Sequence, residues 1–212
     1  MFIIKSFVFS PIAENTYILH NEIGQCIIID PGCYFNNERR ELSDYISNNG
    51  LQPKYLLNTH CHLDHVFGNK FIHDSYHLPL YVHPNEQVVL ENAPLAGLRW
   101  NLPFDNYKGP LQFLRANDRV SFGNDSLKVL EAPGHSPGHI CFYCEKLGFL
   151  IGGDVLFKGS IGRTDLPGGD FDTLIHSIQT KLWPLPDDTI VYAGHGEPTS
   201  IGFEKLHNPF LK

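Results

Sequence analysis

The 212-residue sequence has no run of lysine or arginine at either end, and only 18% of its residues are charged. Sixteen basic residues stand against 23 acidic ones, and the formal net charge is −7 with the histidines neutral. A nucleic-acid backbone or an anionic membrane is bound by a concentrated basic face. The composition therefore predicts that neither nucleic acid nor a membrane is the partner of this chain.

The sequence also lacks a long hydrophobic run and a disulfide framework. Its apolar start, Met1 to Phe9, is too short for a transmembrane helix and has neither the basic start nor the small-residue cleavage site of a signal peptide. We interpret it as a first strand. The five cysteines are odd in number and irregularly spaced, which predicts free thiols and a cytoplasmic protein. Cys141 and Cys144 should point to opposite faces of one strand and pack.

A hydrophobic content of 42% is typical of a compact globular protein, and we expect residues 1–212 to form a single domain. Helical spacing predicts a helix capped by Asn36 or Asn37 and ended by Asn49-Gly50. Further helices are expected at Val66–Ser75, from Pro84 onward and at Phe171–Leu182. The segment from Asn92 to Pro110 lacks periodicity and is interpreted as a long ordered loop, either a wall of a substrate pocket or a cover of the core.

Strand-like runs occur in both halves of the chain, and a helix follows them in each half. This order predicts an α/β fold in which two sheets pack face to face with helices outside. The expected strands are Thr16–His20, Cys26–Asp30, Lys54–Asn58, Leu80–Val82, Arg119–Phe122, Leu127–Ala132, Ile140–Cys144, Phe149–Ile151 and Thr189–Ala193.

Three histidines and an aspartate lie within six positions of the segment Thr59-His60-Cys61-His62-Leu63-Asp64-His65. Imidazole and carboxylate groups are the ligands that zinc, iron and manganese take from proteins. In an extended chain His60, His62 and Asp64 point to one side, and a turn into a helix at His65 would bring its ring beside Asp64. The segment is therefore predicted to be a metal-binding loop, with Cys61 directed away from the metal.

Four side chains cannot complete two metal sites, so further ligands are expected at the ends of later strands. Three candidates are His135 in Pro133-Gly134-His135-Ser136-Pro137-Gly138-His139, Asp154 in Gly152-Gly153-Asp154, and His195 in Gly194-His195-Gly196. Each follows an apolar run and lies beside glycine, which lets the backbone turn sharply. Taken singly, each is as readily a turn residue as a ligand.

The order of these motifs resembles the metallo-β-lactamase fold superfamily over nearly the whole chain, from Asn15-Thr16-Tyr17 to Asn208-Pro209-Phe210. The resemblance implies a four-layer αββα sandwich of two mixed sheets with helices outside. It also implies two divalent metal ions, with zinc expected and iron or manganese as alternatives. The ligands it assigns are His60, His62 and His135 for one ion, Asp64, His65 and His195 for the other, and Asp154 as the bridge.

Within that superfamily, Gly153-Asp154-Val155-Leu156-Phe157 and Ser160 to Gly169 resemble the short, single-domain glyoxalase II-like hydrolases. The resemblance implies hydrolysis of a thioester such as an S-2-hydroxyacylglutathione by a metal-bound hydroxide. Asp64 and Asp154 would be the catalytic carboxylates. Arg163 would hold a substrate carboxylate, or else form an ion pair with Asp165 or Asp170. His139 should hydrogen-bond near the site.

Other functions of the same superfamily stay open. An iron-dependent persulfide dioxygenase shares the motif, and a hydrolase of lactones or other esters would use the same hydroxide. Arg163 and Asp165 stand where glyoxalase II has a lysine and a tyrosine, and only a short tail follows His195, in place of its helical C-terminal domain. These departures concern glutathione recognition and not hydrolysis. A non-enzymatic binding module is the alternative of a different class, although members of that kind usually lose ligands. The sequence does not predict the oligomeric state.

Overall fold

The computed structural model describes residues 3–211, which divide into two compact units. The first unit comprises the chain up to Val82 together with Gln87–Phe113, and the second comprises His83–Glu86 and the chain from Leu114 onward. Each unit contains one six-stranded sheet. The interpretation of residues 1–212 as a single domain stays a prediction. Within residues 3–211, none of the helices combines the length and apolar composition needed to cross a lipid bilayer.

The sheet of the first unit is mixed. Its first three strands are antiparallel neighbours, and the remaining strands continue the sheet in parallel. The run Ile27-Ile28-Ile29 is fully buried, as expected for a strand that is covered on both faces. In spatial order, which is also chain order, the strands are β1 (Ile3–Phe9), β2 (Glu14–His20), β3 (Gln25–Ile29), β4 (Gln52–Leu57), β5 (Leu80–Val82) and β6 (Leu111–Phe113).

The strand predictions for this unit are confirmed, and the sequence missed only the short strand β6. The predicted first strand begins at Ile3 within the described residues, whereas Met1 and Phe2 lie outside them. The predicted strands Thr16–His20 and Cys26–Asp30 form a hairpin, since β2 and β3 pair antiparallel with His20 opposite Cys26.

The four helices of the first unit differ from the prediction in three places. They are α1 (Asn36–Asn48), α2 (Leu63–Val66), α3 (Asn69–Tyr76) and α4 (Gln87–Arg99), and a 3-10 turn at Pro84–Glu86 precedes α4. The predicted helix at Val66–Ser75 is two helices, separated at Phe67 and Gly68. The nearness of Gly68 to Pro31 explains the break, because its N–H donates to the Pro31 carbonyl at 2.7 Å.

The predicted loop from Asn92 to Pro110 is wrong in its first part. Helix α4 extends through Arg99, and only residues 100–110 are irregular. Leu90, Ala93 and Gly97 are buried at helical spacing. Pro94 inside the helix, together with Gly97, obscured that spacing, because both residues are normally helix breakers. Gly97 permits a close approach, since a Cβ there would lie 2.7 Å from the Leu102 carbonyl oxygen.

The start of α1 also differs from the prediction that Asn36 or Asn37 caps it. Phe35 occupies the cap position in extended conformation, and the Phe35 side chain has no oxygen to accept a hydrogen bond. Glu38 takes over that role, and its carboxylate accepts N–H groups of Ser10 (2.8 Å), Tyr34 (2.8 Å) and Phe35 (2.9 Å). A carboxylate near a helix N-terminus is further favoured by the helix dipole.

The sheet of the second unit is also mixed. Its strands are β7 (Arg119–Phe122), β8 (Asp125–Glu131), β9 (Ile140–Cys144), β10 (Phe149–Gly153), β13 (Ile190–Ala193) and β14 (Thr199–Ser200), in the spatial order β14-β13-β10-β9-β8-β7. β10 and β13 are parallel, and the other neighbouring pairs are antiparallel. A separate hairpin consists of β11 (Leu156–Phe157) and β12 (Ser160–Ile161).

The helix predicted at Phe171–Leu182 is present as α5 (Phe171–Ser177), which continues as a π-helical segment at Ile178–Leu182. The sequence missed β11, β12, β14 and the helix α6 (Ile201–His207), which is capped by Ser200. Each of these missed strands has only two residues, which is too short for alternation to be recognised.

All five cysteines are buried and form no disulfide, as predicted. Burial raises the pKa of the Cys26 and Cys33 thiols to about 12. Cys141 lies in the apolar core of the second unit, which supports the packing role predicted for it.

The three hydrogen bonds that Glu38 accepts generate a prediction for stability. Glu38→Ala should lower the free energy of unfolding by roughly 1–3 kcal/mol, because two N–H groups at the start of α1 and that of Ser10 after β1 lose a charged acceptor. Chemical denaturation measures the change. Glu41→Ala on the exposed face of the same helix is the control and should change stability by less than about 0.5 kcal/mol. Equal losses in both variants would contradict this account of the cap.

Candidate metal centre

In the first unit, the parallel neighbours β3 and β4 end at the same edge of the sheet. Asp30 follows β3 directly, and Asn58, Thr59 and His60 follow β4. The backbone joins the two strand ends, since the N–H of Asp30 donates to the Leu57 carbonyl at 3.0 Å. The carboxyl ends of parallel strands are where polar side chains of an α/β sheet converge, and here they deliver the histidine loop.

The carboxylate of Asp30 organises both ends of this loop. Oδ1 accepts the backbone N–H of Thr59 at 2.7 Å and the side-chain amide of Asn58 at 3.1 Å. Oδ2 accepts the Thr59 hydroxyl at 2.6 Å and lies 3.1 Å from Nδ1 of His65. Asp30 is buried and has a φ of +49°, a left-handed conformation that is uncommon outside glycine and often marks a functional position.

The histidine loop is extended only as far as His62. Helix α2 begins at Leu63, so Asp64 and His65 are both helical, and the expectation that Asp64 shares an extended parity with His60 is wrong. The turn still brings the donors together. Nε2 of His65 lies 3.8 Å from Oδ2 of Asp64, and the ring centroid of His60 lies 4.1 Å from that of His65 and 4.8 Å from that of His62.

Two further buried groups support His65. The side-chain amide of Asn58 donates to the His65 carbonyl at 2.8 Å, which ties α2 to the end of β4. Oε1 of Glu14 lies 3.9 Å from Nδ1 of His65. Burial raises the pKa of Glu14 well above its ordinary value, while the nearby His65 opposes that rise. Asp30 and Glu14 therefore place two carboxyl groups behind one imidazole ring.

In the second unit, β10 and β13 are parallel and end at the same edge. Asp154 follows β10, and His195 follows β13 after one glycine. Gly194 donates its N–H to the Gly153 carbonyl at 2.8 Å, so the two strand ends are fixed to each other. The strand before His135, β8, runs in the same direction as β10, because both are antiparallel to β9. Three predicted ligands therefore come from three strands that end at one edge.

A single oxygen of Asp154 lies between two histidines. Oδ2 is 3.5 Å from Nε2 of His135 and 3.6 Å from Nε2 of His195. These separations exceed a good hydrogen bond but match the roughly 3.4 Å between two ligands of one tetrahedral ion with bonds near 2.1 Å. The donor set of neutral imidazoles and a carboxylate suits zinc or iron. The donor types and separations in this unit thus fit metal ligation by Asp154, His135 and His195.

The ring of His135 is oriented by the backbone. Its Nδ1 donates to the carbonyl of Arg163 at 2.7 Å, which leaves Nε2 as the ligand atom on the side of Asp154. The prediction that His139 hydrogen-bonds near the site is confirmed, since its Nε2 accepts the backbone N–H of Asp154 at 3.0 Å. Gly162 is required here, because a Cβ at this position would collide with the Asp154 carbonyl oxygen.

The side chain of Arg163 forms an ion pair with Asp165, which is one of the alternatives that the sequence left open. The pair is bidentate, with two contacts of 2.7 Å. The arginine lowers the pKa of Asp165 to about 2. Asp170 does not take part, since its carboxylate caps α5 by accepting the Thr173 N–H at 2.8 Å. Both partners of the Arg163–Asp165 pair are exposed, so an anionic ligand can compete for the arginine.

Sequence reasoning found the histidine loop, His135, Asp154 and His195, but it missed the supporting carboxyl groups Asp30 and Glu14. Asp30 carried a usable signal, because an aspartate between an apolar strand and Pro31-Gly32 is the same pattern that drew attention to Asp154. Cys61, predicted to point away from the metal, packs in the apolar core of the first unit.

The chain is similar to known proteins over most of its length. A model of the metallo-beta-lactamase superfamily matches residues 10–195. The hydroxyacylglutathione hydrolase GloC of Haemophilus influenzae is 38% identical over 200 residues, which are 93% of this chain and 92% of that protein.

Two solved structures resemble the chain over almost its whole length. The BLEG-1 B3 metallo-beta-lactamase is 37% identical with a TM-score of 0.91, over 99% of this chain and 100% of that one. TTHA1623, solved in a di-iron-bound form, is 38% identical with a TM-score of 0.89, over 98% of this chain and 100% of that one. The chain therefore belongs to the metallo-beta-lactamase superfamily, as a metallo-hydrolase whose α/β fold contains two mixed sheets and helices.

Proposed function

We propose that the chain hydrolyses a small-molecule thioester such as an S-2-hydroxyacylglutathione, with two divalent metal ions as cofactors. The observation that carries the proposal is the Asp154 carboxylate, one oxygen of which lies at ligand-to-ligand distance from both His135 and His195. The name of GloC, which matches nearly from end to end, supports the thioester as the substrate class.

The proposed ligands are the seven side chains of the histidine loop and the later strand ends. His60, His62 and His135 are proposed to hold one ion, and Asp64, His65 and His195 are proposed to hold the other, because imidazole and carboxylate are the ligand types that such metals take. Asp154 is proposed to bridge the two ions. Zinc is the proposed metal, because imidazole and carboxylate suit it, and the di-iron form of TTHA1623 makes iron the alternative.

Two bound metal ions would supply a water molecule of lowered pKa and would polarise the thioester carbonyl. The carboxylate of Asp64 is proposed to accept a hydrogen bond from this water and to aim its oxygen at the carbonyl carbon. Addition of the water and cleavage of the C–S bond give a carboxylic acid and a thiol. The Arg163 carbonyl keeps Nδ1 of His135 occupied, and Asp30 does the same for Nδ1 of His65, so that Nε2 of each ring would face the metal.

Arg163 is proposed to bind a carboxylate of the substrate. Its guanidinium is exposed and already holds Asp165 through two parallel contacts, which is the geometry that a substrate carboxylate would adopt. Asp165 therefore competes with the substrate for Arg163 and sets how strongly an anionic substrate is held.

Hydrolysis of a β-lactam is a second candidate, favoured by the likeness to the BLEG-1 B3 metallo-beta-lactamase. The same activated water would attack an amide carbonyl in a ring instead of a thioester carbonyl. The likeness to GloC in sequence is equally strong, and Arg163 offers a site for a substrate carboxylate such as those of a glutathione moiety.

A substrate panel tests the proposed function. Purified protein loaded with zinc should show its highest kcat/KM with S-lactoylglutathione among this thioester, a simple acyl thioester, a lactone and a β-lactam. Oxygen uptake with glutathione persulfide should be absent after loading with zinc or iron. A higher kcat/KM for the β-lactam would replace the thioester proposal, and oxygen consumption would replace it with the dioxygenase.

The role of Arg163 makes a separate prediction. Arg163→Ala should raise KM for an anionic thioester about tenfold while kcat stays nearly unchanged, because the arginine contributes equally to binding substrate and transition state. Asp165→Asn should lower KM, since the competing carboxylate loses its charge. Arg119→Ala is the matched control, because Arg119 forms an exposed ion pair of 2.9 Å with Glu145. The substrate-binding role is wrong if Arg163→Ala and Arg119→Ala have the same KM.

A further inference from the structure

The loop between β8 and β9, residues 132–139, carries both His135 and His139. One side of this loop is fixed by the contacts described above, His135 to the Arg163 carbonyl and His139 to the Asp154 N–H. These contacts hold the rings of the two histidines. They do not hold the backbone between them, which is Ser136-Pro137-Gly138.

A buried carboxylate holds that backbone from a different segment of the chain. Glu86 ends the 3-10 turn Pro84–Glu86 and has no exposed surface. Its Oε1 accepts the hydroxyl of Ser136 and the backbone N–H of Gly138, the latter at 2.7 Å. The neighbouring Asn85 adds a side-chain contact to the Pro137 carbonyl at 3.3 Å. Three consecutive residues of the loop are thus bound by two residues of one turn.

The turn Pro84–Glu86 packs closely against the loop at residues 132–139. A Cβ at Gly138 would lie 2.6 Å from Nδ1 of His83 and 3.0 Å from the backbone nitrogen of Glu86, so only glycine allows the approach. Because Ser136 is the residue next to His135, a displacement of the serine changes the backbone from which the His135 ring projects. A ligand that moves by a fraction of an ångström no longer matches the geometry of its metal ion.

We propose that Glu86 is a positioning residue for the metal centre, which fixes His135 through the Ser136 hydroxyl and the Gly138 N–H. The role rests on the metal ligation by His135 that the proposed function includes. It explains why a charged group is buried in this turn, since a carboxylate is costly to bury and needs strong donors. It also assigns Ser136 a role other than metal binding, which is to donate its hydroxyl to Glu86.

Glu204 provides a matched control within the same unit. Like Glu86, it is completely buried, and it accepts a threonine hydroxyl, that of Thr199 at 2.5 Å, and a glycine N–H, that of Gly159 at 3.1 Å. Neither Thr199 nor Gly159 is next to a proposed ligand. Both glutamates are therefore fully buried and accept one hydroxyl and one glycine N–H, and Glu204 also accepts the Asn208 side-chain amide at 2.8 Å. They differ in whether the bound segment carries a proposed ligand beside the bond.

The experiment measures metal affinity in the full chain by competition with a chelator, together with the visible absorption of the cobalt-substituted protein. Glu86→Ala should lower the affinity for zinc about 10- to 100-fold and change the cobalt spectrum. Ser136→Ala should cause a smaller change in the same direction, and Ser136→Thr, which keeps the hydroxyl, should restore the wild-type values. Glu204→Ala should lower the melting temperature and leave affinity and spectrum unchanged.

Two results would overturn the positioning role. One is a Glu86→Ala protein with wild-type zinc affinity and cobalt spectrum, and the other is an equal loss of affinity in Glu86→Ala and Glu204→Ala. If Glu86→Ala does not fold, Ser136→Ala against Ser136→Thr decides the matter in the same assay. A wild-type chain that binds no metal overturns both proposals. A wild type that binds metal but leaves thioesters intact overturns the proposed function alone.

Discussion

The structure depends on the buried carboxylate of Asp30, placed where β3 ends beside β4. Burial of a charge costs several kcal/mol unless it is paired and hydrogen-bonded, and Asp30 is surrounded by donors from Asn58 and Thr59 and by Nδ1 of His65. The same bonds that stabilise the carboxylate set the conformation of the loop. The hydrogen bonds that allow the Asp30 carboxylate to be buried therefore also fix the loop that carries four candidate ligands.

Asp154 has a similar position in the second unit, but its side chain is proposed to face the metal. It follows β10, which is parallel to β13. Its backbone N–H donates to His139, and its carboxylate lies between His135 and His195. In both units a parallel pair of strands brings residues distant in sequence to one edge. The candidate ligands are therefore placed by the pairing of the strands that precede them.

This dependence on strand pairing explains what the sequence could and could not predict. The histidine loop, His135, Asp154 and His195 were visible because metal-binding residue types follow apolar strands and lie beside glycine or in a dense cluster. The groups that Asp30, Glu14 and Glu86 contact at the site lie far away in sequence, so which residues these carboxyl groups support is known only once the neighbouring strands and turns are known. Local errors had local causes: Pro94 and Gly97 obscured α4, and Phe35 occupies a cap position that its own side chain cannot serve.

The central claim, that the candidate ligands bind two metal ions bridged by Asp154, is tested most directly by counting metal. The measurement is the zinc content per chain after saturation and removal of free metal, for the wild type, Asp154→Ala and the exposed Asp188→Ala. Two ions are expected for the wild type and for Asp188→Ala, and at most one for Asp154→Ala. Fewer than two ions in the wild type, or two tightly held ions in Asp154→Ala, would contradict it.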